Sequence, residues 1–268
     1  MATRKKKLKL ESSSIAGRAS AAVDLALLRT SKMSPPAMWL PTYRDQDHKR
    51  SSYARSFRWW GVQAGMDLSC TSPWNSYGGV KKAGTVIHRR AFITCRHGSY
   101  YLKQGDYARF VGMQNQVYDA YVENIDFVGP DLVVHKTIEP LPEFVTTARV
   151  LPKGWESQLP ELGQVPIPIV VLDQEEKGLL YEWRSAGAGV ITANKPATAA
   201  RRAVWEKLEV GDSGNGMFLP GLWWPVVLGL AASATDTLAI GVDVSFYWDD
   251  LEASLAKLGL EGGLTAAF

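Results

Sequence analysis

Cysteine and histidine are scarce in this chain of 268 residues, which contains two cysteines and four histidines. Cys70 and Cys95 are too few to form a disulfide framework, and the cysteines and histidines show no spacing typical of metal ligands. The sequence also has no glycine-rich phosphate loop and no dinucleotide-binding fingerprint. We therefore expect a protein that needs no metal and no cofactor.

Long hydrophobic runs are absent as well, and no apolar segment is long enough to span a bilayer. The basic first residues are followed by the polar residues Glu11 to Ser14, and the next apolar patch is short and carries Asp24. Neither stretch has the pattern of a signal peptide. These features predict a protein without a membrane span that is intracellular or virion-associated.

Short apolar segments, separated repeatedly by glycine and proline, make up most of the chain, which is 46% hydrophobic. This pattern predicts an all-β sandwich or barrel, and the length allows two modest cores. The predicted strands are Thr85 to Ile87, Ala91 to Thr94, Arg109 to Gly112, Leu132 to His135, Ile167 to Leu172, Gly178 to Trp183, Gly187 to Thr192, Gly216 to Leu219 and Val226 to Ala231. A terminal amphipathic helix is indicated by apolar residues at helical spacing from Phe246 to Leu258, and Gly259 would end it.

The most informative motif is Gly211-Asp212-Ser213-Gly214, a serine flanked by glycines and preceded by an acid. Upstream, His97 ends one apolar run and Asp131 begins another, so that the chain order is His, Asp, Ser. A serine hydroxyl becomes a useful nucleophile when imidazole takes its proton, and a carboxylate orients that imidazole and stabilises its charged form. The three residues therefore predict a nucleophile (Ser213), a general base (His97) and an orienting acid (Asp131).

Other histidines and carboxylates compete for these roles. His88 and His135 lie on apolar-rich runs and His48 in a charged loop, and we interpret all three as structural or solvated. The competing acids are Asp106, Asp119 and Asp126, of which Asp126 also lies in an apolar segment. Asp131 is preferred because it opens a strand that would carry it inward.

These motifs, in this order, resemble the trypsin/chymotrypsin-like serine peptidases, in a divergent form similar to viral and bacterial members. The resemblance covers about residues 76 to 258, and Val227 to Leu230 and Val242 to Val244 resemble the family's last two strands. It implies a double six-stranded antiparallel β-barrel, with a basic amino-terminal extension over residues 1–75, a first barrel over 76–155, and a second barrel with the terminal helix over 156–268. It further implies a serine endopeptidase acting on a protein or peptide substrate.

The same resemblance assigns the oxyanion hole to the backbone amides of Gly211 and Ser213. It places Lys207 at the base of the primary specificity pocket and Ala232 and Ala234, with Ala231, in its wall. A lysine there would favour an acidic substrate side chain, although residues 206–209 equally fit a solvated charge run.

The chain also departs from the family pattern. Asn215-Gly216 follows the serine motif where the family has Gly-Pro, and Cys95 and Arg96 replace two small residues before the histidine. The activating amino-terminal segment of the digestive enzymes is missing, since Ser14 to Gly17 matches it only faintly. We therefore infer no zymogen switch.

Positive charge is concentrated at the beginning of the chain. Residues 1–60 hold 13 Lys and Arg against 4 Asp and Glu, a net of +9, while the whole chain has a net charge of +3. The run Arg4 to Lys9 could bind nucleic acid, an anionic surface or an acidic partner. Residues 21–28 suggest a short helix, and Phe57, Trp59 and Trp60 an anchor onto the body. The alternative function is therefore a structural or assembly protein, for example a virion component, that uses the fold as a scaffold and its basic arm to bind neighbours.

Overall fold

The computed structural model describes residues 14–44, 53–72, 83–99, 101–158 and 165–267. Its helices are α1 (Ile15–Met33), α2 (Trp60–Gln63), α3 (Ala199–Arg202) and α4 (Trp248–Lys257), with 3-10 turns at Pro36–Met38, His97–Ser99 and Trp155–Gln158. Its strands are β1 (Thr85–His88), β2 (Ala91–Cys95), β3 (Tyr107–Val111), β4 (Val117–Val128), β5 (Leu132–Thr137), β6 (Arg149–Val150), β7 (Pro168–Leu172), β8 (Gly178–Gly187), β9 (Val190–Asn194), β10 (Gly216–Leu219), β11 (Val226–Ala234) and β12 (Leu238–Asp243). None of the described helices is long and apolar enough to cross a membrane.

The first sheet has five antiparallel strands in the order β1-β2-β5-β4-β3. Its fully buried strand β2 pairs with β5 in a regular register that runs from Ala91↔Lys136 to Cys95↔Leu132. Strand β4 is long enough to pair with β3 through its first half and with β5 through its second half. Within the described residues this half is a curled five-stranded sheet, one strand short of the six that were expected.

The second half is a closed barrel. Its sheet has the order β10-β7-β8-β9-β12-β11-β6, and the additional pairing of β10 with β11 closes six of these strands into a ring. Strand β6 pairs in parallel with the first two residues of β11, Val226 and Val227, which precede the part of β11 that pairs with β12. The all-β, chymotrypsin-like fold class is therefore confirmed, together with the carboxyl-terminal helix.

Helix α1 covers part of the body. Ser14 caps its first turn by accepting a hydrogen bond from the amide of Gly17, which is the usual way to satisfy a free helix amide. Its buried side packs into two apolar clusters, of which one includes Ala16 and Ala19 and the other Val23 and Leu27. The helix has 19 residues, so the sequence-based prediction over residues 21–28 found only its middle.

The segment after α1 is fixed by two tryptophans. The indoles of Trp59 and Trp60 are buried and both donate to the carbonyl of Gly178, at 3.3 and 2.8 Å. Phe57, the third residue of the predicted anchor, is exposed instead. The basic run Arg4 to Lys9 lies outside the described residues.

Candidate active site

Strands β2 and β5 bring His97 and Asp131 together. Cys95, the last residue of β2, lies opposite Leu132, the first residue of β5, so the residues just beyond each strand are also neighbours. The pairing continues outside the sheet, where the amide of Arg96 donates to the carbonyl of Asp131 at 3.2 Å. An antiparallel register alone therefore places a base and an acid side by side at one edge of the first sheet.

The three predicted side chains form a continuous hydrogen-bonded chain. His97 Nδ1 lies 2.6 Å from Asp131 Oδ2, and His97 Nε2 lies 2.7 Å from Ser213 Oγ. The second carboxylate oxygen of Asp131 accepts the amides of Arg96 and His97 at 3.0 and 2.8 Å. Asp131 thus contacts both the ring and the backbone of His97, which fixes the orientation of the imidazole.

Ser213 lies in a turn of the second barrel, just before β10. Gly211 and Gly214 have φ angles of 111° and 88°, a region that side chains with a Cβ rarely adopt. The amide of Gly214 donates to the carbonyl of Ala231 in β11 at 2.7 Å. A Cβ on Gly214 would lie 3.3 Å from Cys95 Sγ, so the serine turn rests directly on the end of β2.

Two residues that the sequence analysis missed support this turn. The buried side chain of Asn215 donates to the carbonyl of Asp212 at 3.0 Å and closes the turn on itself. Gln174, from the β7–β8 loop, donates its backbone amide to Asp212 Oδ1 at 2.9 Å and its side-chain amide to the carbonyl of Val210 at 3.1 Å. Asn215 was visible as a departure from the family motif, whereas no local signal marked Gln174.

The buried carboxylate of Asp212 also accepts the amide of Glu209, at 2.5 Å. Backbone amides therefore contact this acid, and Ser14, from the segment that faintly matches an activating terminus, caps α1 instead.

The amides of Gly211 and Ser213 donate no hydrogen bond to another residue in the described part of the chain. Both residues line a cleft of about 760 Å³ that also contains His97. Donors left free beside a nucleophile are what an oxyanion hole requires.

The predicted specificity residues line the same cleft. Ala232 and Ala234 form part of its wall, and the Ala232 carbonyl lies 3.4 Å from Ser213 Oγ. Lys207 also lines the cleft, but its ammonium group pairs with Asp236 Oδ1 at 2.5 Å. The positive charge expected at the base of the specificity pocket is therefore paired with the negative charge of a carboxylate.

The competing groups are engaged elsewhere. His88 bonds to the carbonyl of Glu261, and the fully buried His135 bonds to the backbone of Leu102 and stacks on Phe92. Of the competing acids, Asp106 accepts the amide of Lys103, Asp119 pairs with Arg109, and Asp126 pairs with Lys257. His48 lies outside the described residues.

The side chains of the two unusual residues before His97 contact an aromatic ring (Arg96) and the serine turn (Cys95). The guanidinium of Arg96 stacks over Phe127, 4.7 Å from the ring centroid. Burial raises the pKa of the Cys95 thiol to about 12, which keeps it protonated and unreactive at neutral pH. The described residues contain no cluster of three or more potential metal ligands.

Comparison with known proteins supports the fold and no more. No protein-family model matches the sequence, and no curated protein matches it. Among solved structures, the scabies mite inactivated protease paralogue S-I1 is similar, with a TM-score of 0.50 and 12% sequence identity over 70% of this chain and 93% of the other. At this identity the likeness concerns the trypsin-like fold alone.

Proposed function

We propose that the protein is a serine endopeptidase that forms an acyl-enzyme on Ser213. The observation that carries this proposal is the unbroken sequence of hydrogen bonds from Asp131 through His97 to Ser213 Oγ. Such a series of hydrogen bonds activates a serine hydroxyl as a nucleophile, and a scaffold has no chemical need for it.

In the proposed reaction, Ser213 Oγ attacks the carbonyl carbon of the scissile peptide while His97 Nε2 takes its proton. Asp131 Oδ2 holds the proton on Nδ1 and stabilises the imidazolium ion that forms. The amides of Gly211 and Ser213 donate to the oxyanion, and His97 then protonates the leaving amine. Water, activated by the same imidazole, hydrolyses the acyl-enzyme and returns Ser213 to its starting state.

Covalent labelling with a fluorophosphonate probe tests the proposal. We expect labelling of the wild-type protein and none of Ser213→Ala or His97→Ala. Ser233 lines the same cleft and is exposed, so Ser233→Ala is a matched control that should label normally. Absence of labelling in a folded wild-type protein would contradict the proposal.

A second candidate is a structural or assembly role for the fold, for example in a virion. It is favoured by one comparison, since the similar solved structure is described as an inactivated protease paralogue. The two proposals differ in the labelling experiment, because a scaffold predicts no reaction at Ser213.

A further inference from the structure

The loop between β10 and β11 carries a tryptophan that projects into solvent. Trp223 is 96% exposed, whereas its neighbour Trp224 is partly covered by the guanidinium of Arg149, 3.7 Å from the ring centroid. Leu222 is partly exposed beside them. Exposure of an apolar ring to water is unfavourable, and burial of the ring in an apolar environment would be favourable.

This loop adjoins helix α1. A Cβ on Gly221 would lie 3.0 Å from the Ala22 side chain, so the loop backbone packs closely on the helix. Arg18 and Leu25 lie four and three residues from Ala22 along the helix, and Arg29 lies four residues beyond Leu25, so these side chains are neighbours on the helix surface. All three are exposed. The tryptophan loop and a mixed basic and apolar helix face thus form one continuous surface.

The remaining solvent side of α1 has the same character. Leu28, Lys32 and Met33 are exposed, and Leu28 and Met33 are 54% and 60% accessible. The single acidic residue of the helix, Asp24, is held in an ion pair by Arg201. The three exposed cations of this face, Arg18, Arg29 and Lys32, outnumber the one exposed acid, so the net charge of the face is positive.

We propose that this helix–loop surface, formed by the solvent face of α1 and residues 221–224, docks onto an anionic lipid bilayer. Indole rings prefer the interface between headgroups and acyl chains, and Trp223 would insert there. Leu25 and Leu28 would bury apolar surface at the same interface. Arg18 and Arg29 would interact electrostatically with the anionic headgroups.

The exposed aliphatic side chains favour lipid over nucleic acid. A single-stranded nucleic acid is held by cations and by aromatic rings that stack on bases, and leucine or methionine offers no such stacking. The basic run that ends at Lys9 is tied to the first residue of α1 by at most ~22 Å of extended chain. The covalent link alone therefore keeps this positive charge within that distance of the amino-terminal end of the helix.

Co-sedimentation of the full chain with vesicles tests this proposal. We expect binding to phosphatidylcholine vesicles that contain about one third phosphatidylserine, and little to phosphatidylcholine alone. Trp223→Ser should weaken binding about tenfold, and Arg18→Gln and Arg29→Gln about fivefold each. Tyr121→Ser and Lys103→Gln, exposed residues of the first half of the fold, are matched controls and should bind as the wild type does.

Three outcomes would overturn the proposal. One is the absence of binding to the anionic vesicles. Another is binding that Trp223→Ser leaves unchanged, because the basic run alone would then account for it. The third is tight binding of a single-stranded RNA oligonucleotide without vesicle binding. Ser213→Ala should sediment like the wild-type protein, so the result is independent of the proposed peptidase activity.

Discussion

At the scale of single residues, the carboxylate of Asp131 hydrogen-bonds to the imidazole ring and to the backbone at the same time. One oxygen accepts a hydrogen bond from the ring Nδ1–H of His97, and the other accepts hydrogen bonds from the backbone amides of Arg96 and His97. The backbone bonds hold the carboxylate in the orientation that the ring bond needs. A residue that only paired with the imidazole would have to be fixed in some other way.

We expect Asp131→Asn to lower the rate of fluorophosphonate labelling and of peptide hydrolysis about 10⁴-fold, because an amide favours the wrong imidazole tautomer. Labelling rate constants and the melting temperature of both proteins check this. A loss below about tenfold in a protein of normal stability would argue against the orienting role.

The ion pair between Lys207 and Asp236 bears on substrate choice. Both side chains are largely exposed, so their interaction is weak and easily altered. Asp236→Asn should raise kcat/KM for peptides with an acidic residue before the scissile bond, relative to a neutral residue, by roughly two- to fivefold. Lys207→Gln should shift the same ratio in the opposite direction. Equal ratios in all three proteins would remove Lys207 from the specificity pocket.

At the scale of elements, hairpin turns from both halves meet at one aromatic ring. Tyr247 lies against Gly129, in the β4–β5 turn that carries Asp131, and against Gly189, in the β8–β9 turn. Both glycines have positive φ angles, of 57° and 79°. The ring thus joins the acid-bearing turn to the second barrel.

Gly129→Ala should lower the free energy of unfolding more than Gly105→Ala does. Both glycines have positive φ, but a Cβ at Gly105 meets open space whereas one at Gly129 collides with the Tyr247 ring. The strain common to both costs about 1 kcal/mol, and displacement of the ring adds about 1–3 kcal/mol at Gly129 alone. Chemical denaturation of the two variants measures the difference, and equal losses would mean that Tyr247 moves aside freely.

Helix α1 is attached to the barrel by a charge network as well as by apolar packing. Arg201, which is 4% exposed, pairs with Asp24 of the helix and with Glu182 of β8. Arg201→Ala leaves the buried Glu182 carboxylate without its cation and should cost about 3–5 kcal/mol of stability. Arg202→Ala, one residue along and exposed, is the control and should cost little. Similar losses for the two variants would show that the network contributes nothing.

At the scale of the whole molecule, one apolar cluster runs through all the main parts. It contains Val23 of α1, Phe92 of the first sheet, Phe218 of the barrel and Leu251 of α4. The two halves therefore share a core, and the site between them is held from both sides.

Two buried carboxyl groups in the β7–β8 loop should make stability depend on pH. Burial raises the pKa of Asp173 and of Glu176 to about 7, although the Arg55 charge opposes the effect at Glu176. A raised pKa means that the folded state favours the protonated form. The stabilisation of the folded state by these two protonated groups is fully present below about pH 4. It is lost as the pH rises towards 7, where the groups ionise in the folded protein.

Glu176→Gln keeps a neutral group at all pH values. It should therefore reduce the fall in unfolding free energy between about pH 4.5 and 7 by up to about 3 kcal/mol. Urea denaturation across this range checks the prediction, with Glu139→Gln, an exposed glutamate, as control. An unchanged pH profile would contradict it.

The sequence predicted the parts of this molecule that depend on local pattern. The apolar strands, the terminal helix and the order His97, Asp131, Ser213 each have a signal within a few residues, although the predicted strand Gly187 to Thr192 was wrong because it crosses the turn between β8 and β9. Strand β4 was not among the predicted strands, because it has no continuous apolar run of the kind that marked the others, and Asp119 and Glu123 interrupt its first half. Gln174 was not predictable either, since its link to the serine turn spans 36 to 38 residues of sequence.

The contact between the serine turn and the end of β2 also determines when, during synthesis and folding, the candidate active site can assemble. Ser213 and His97 are 116 residues apart, so the base is made long before the nucleophile during synthesis. At about 5–20 residues per second, the ribosome needs at least several seconds to cover that distance. The second barrel must then close before the Gly214 turn can rest on Cys95. A nascent chain therefore cannot cleave itself by the proposed peptidase activity until both halves have folded.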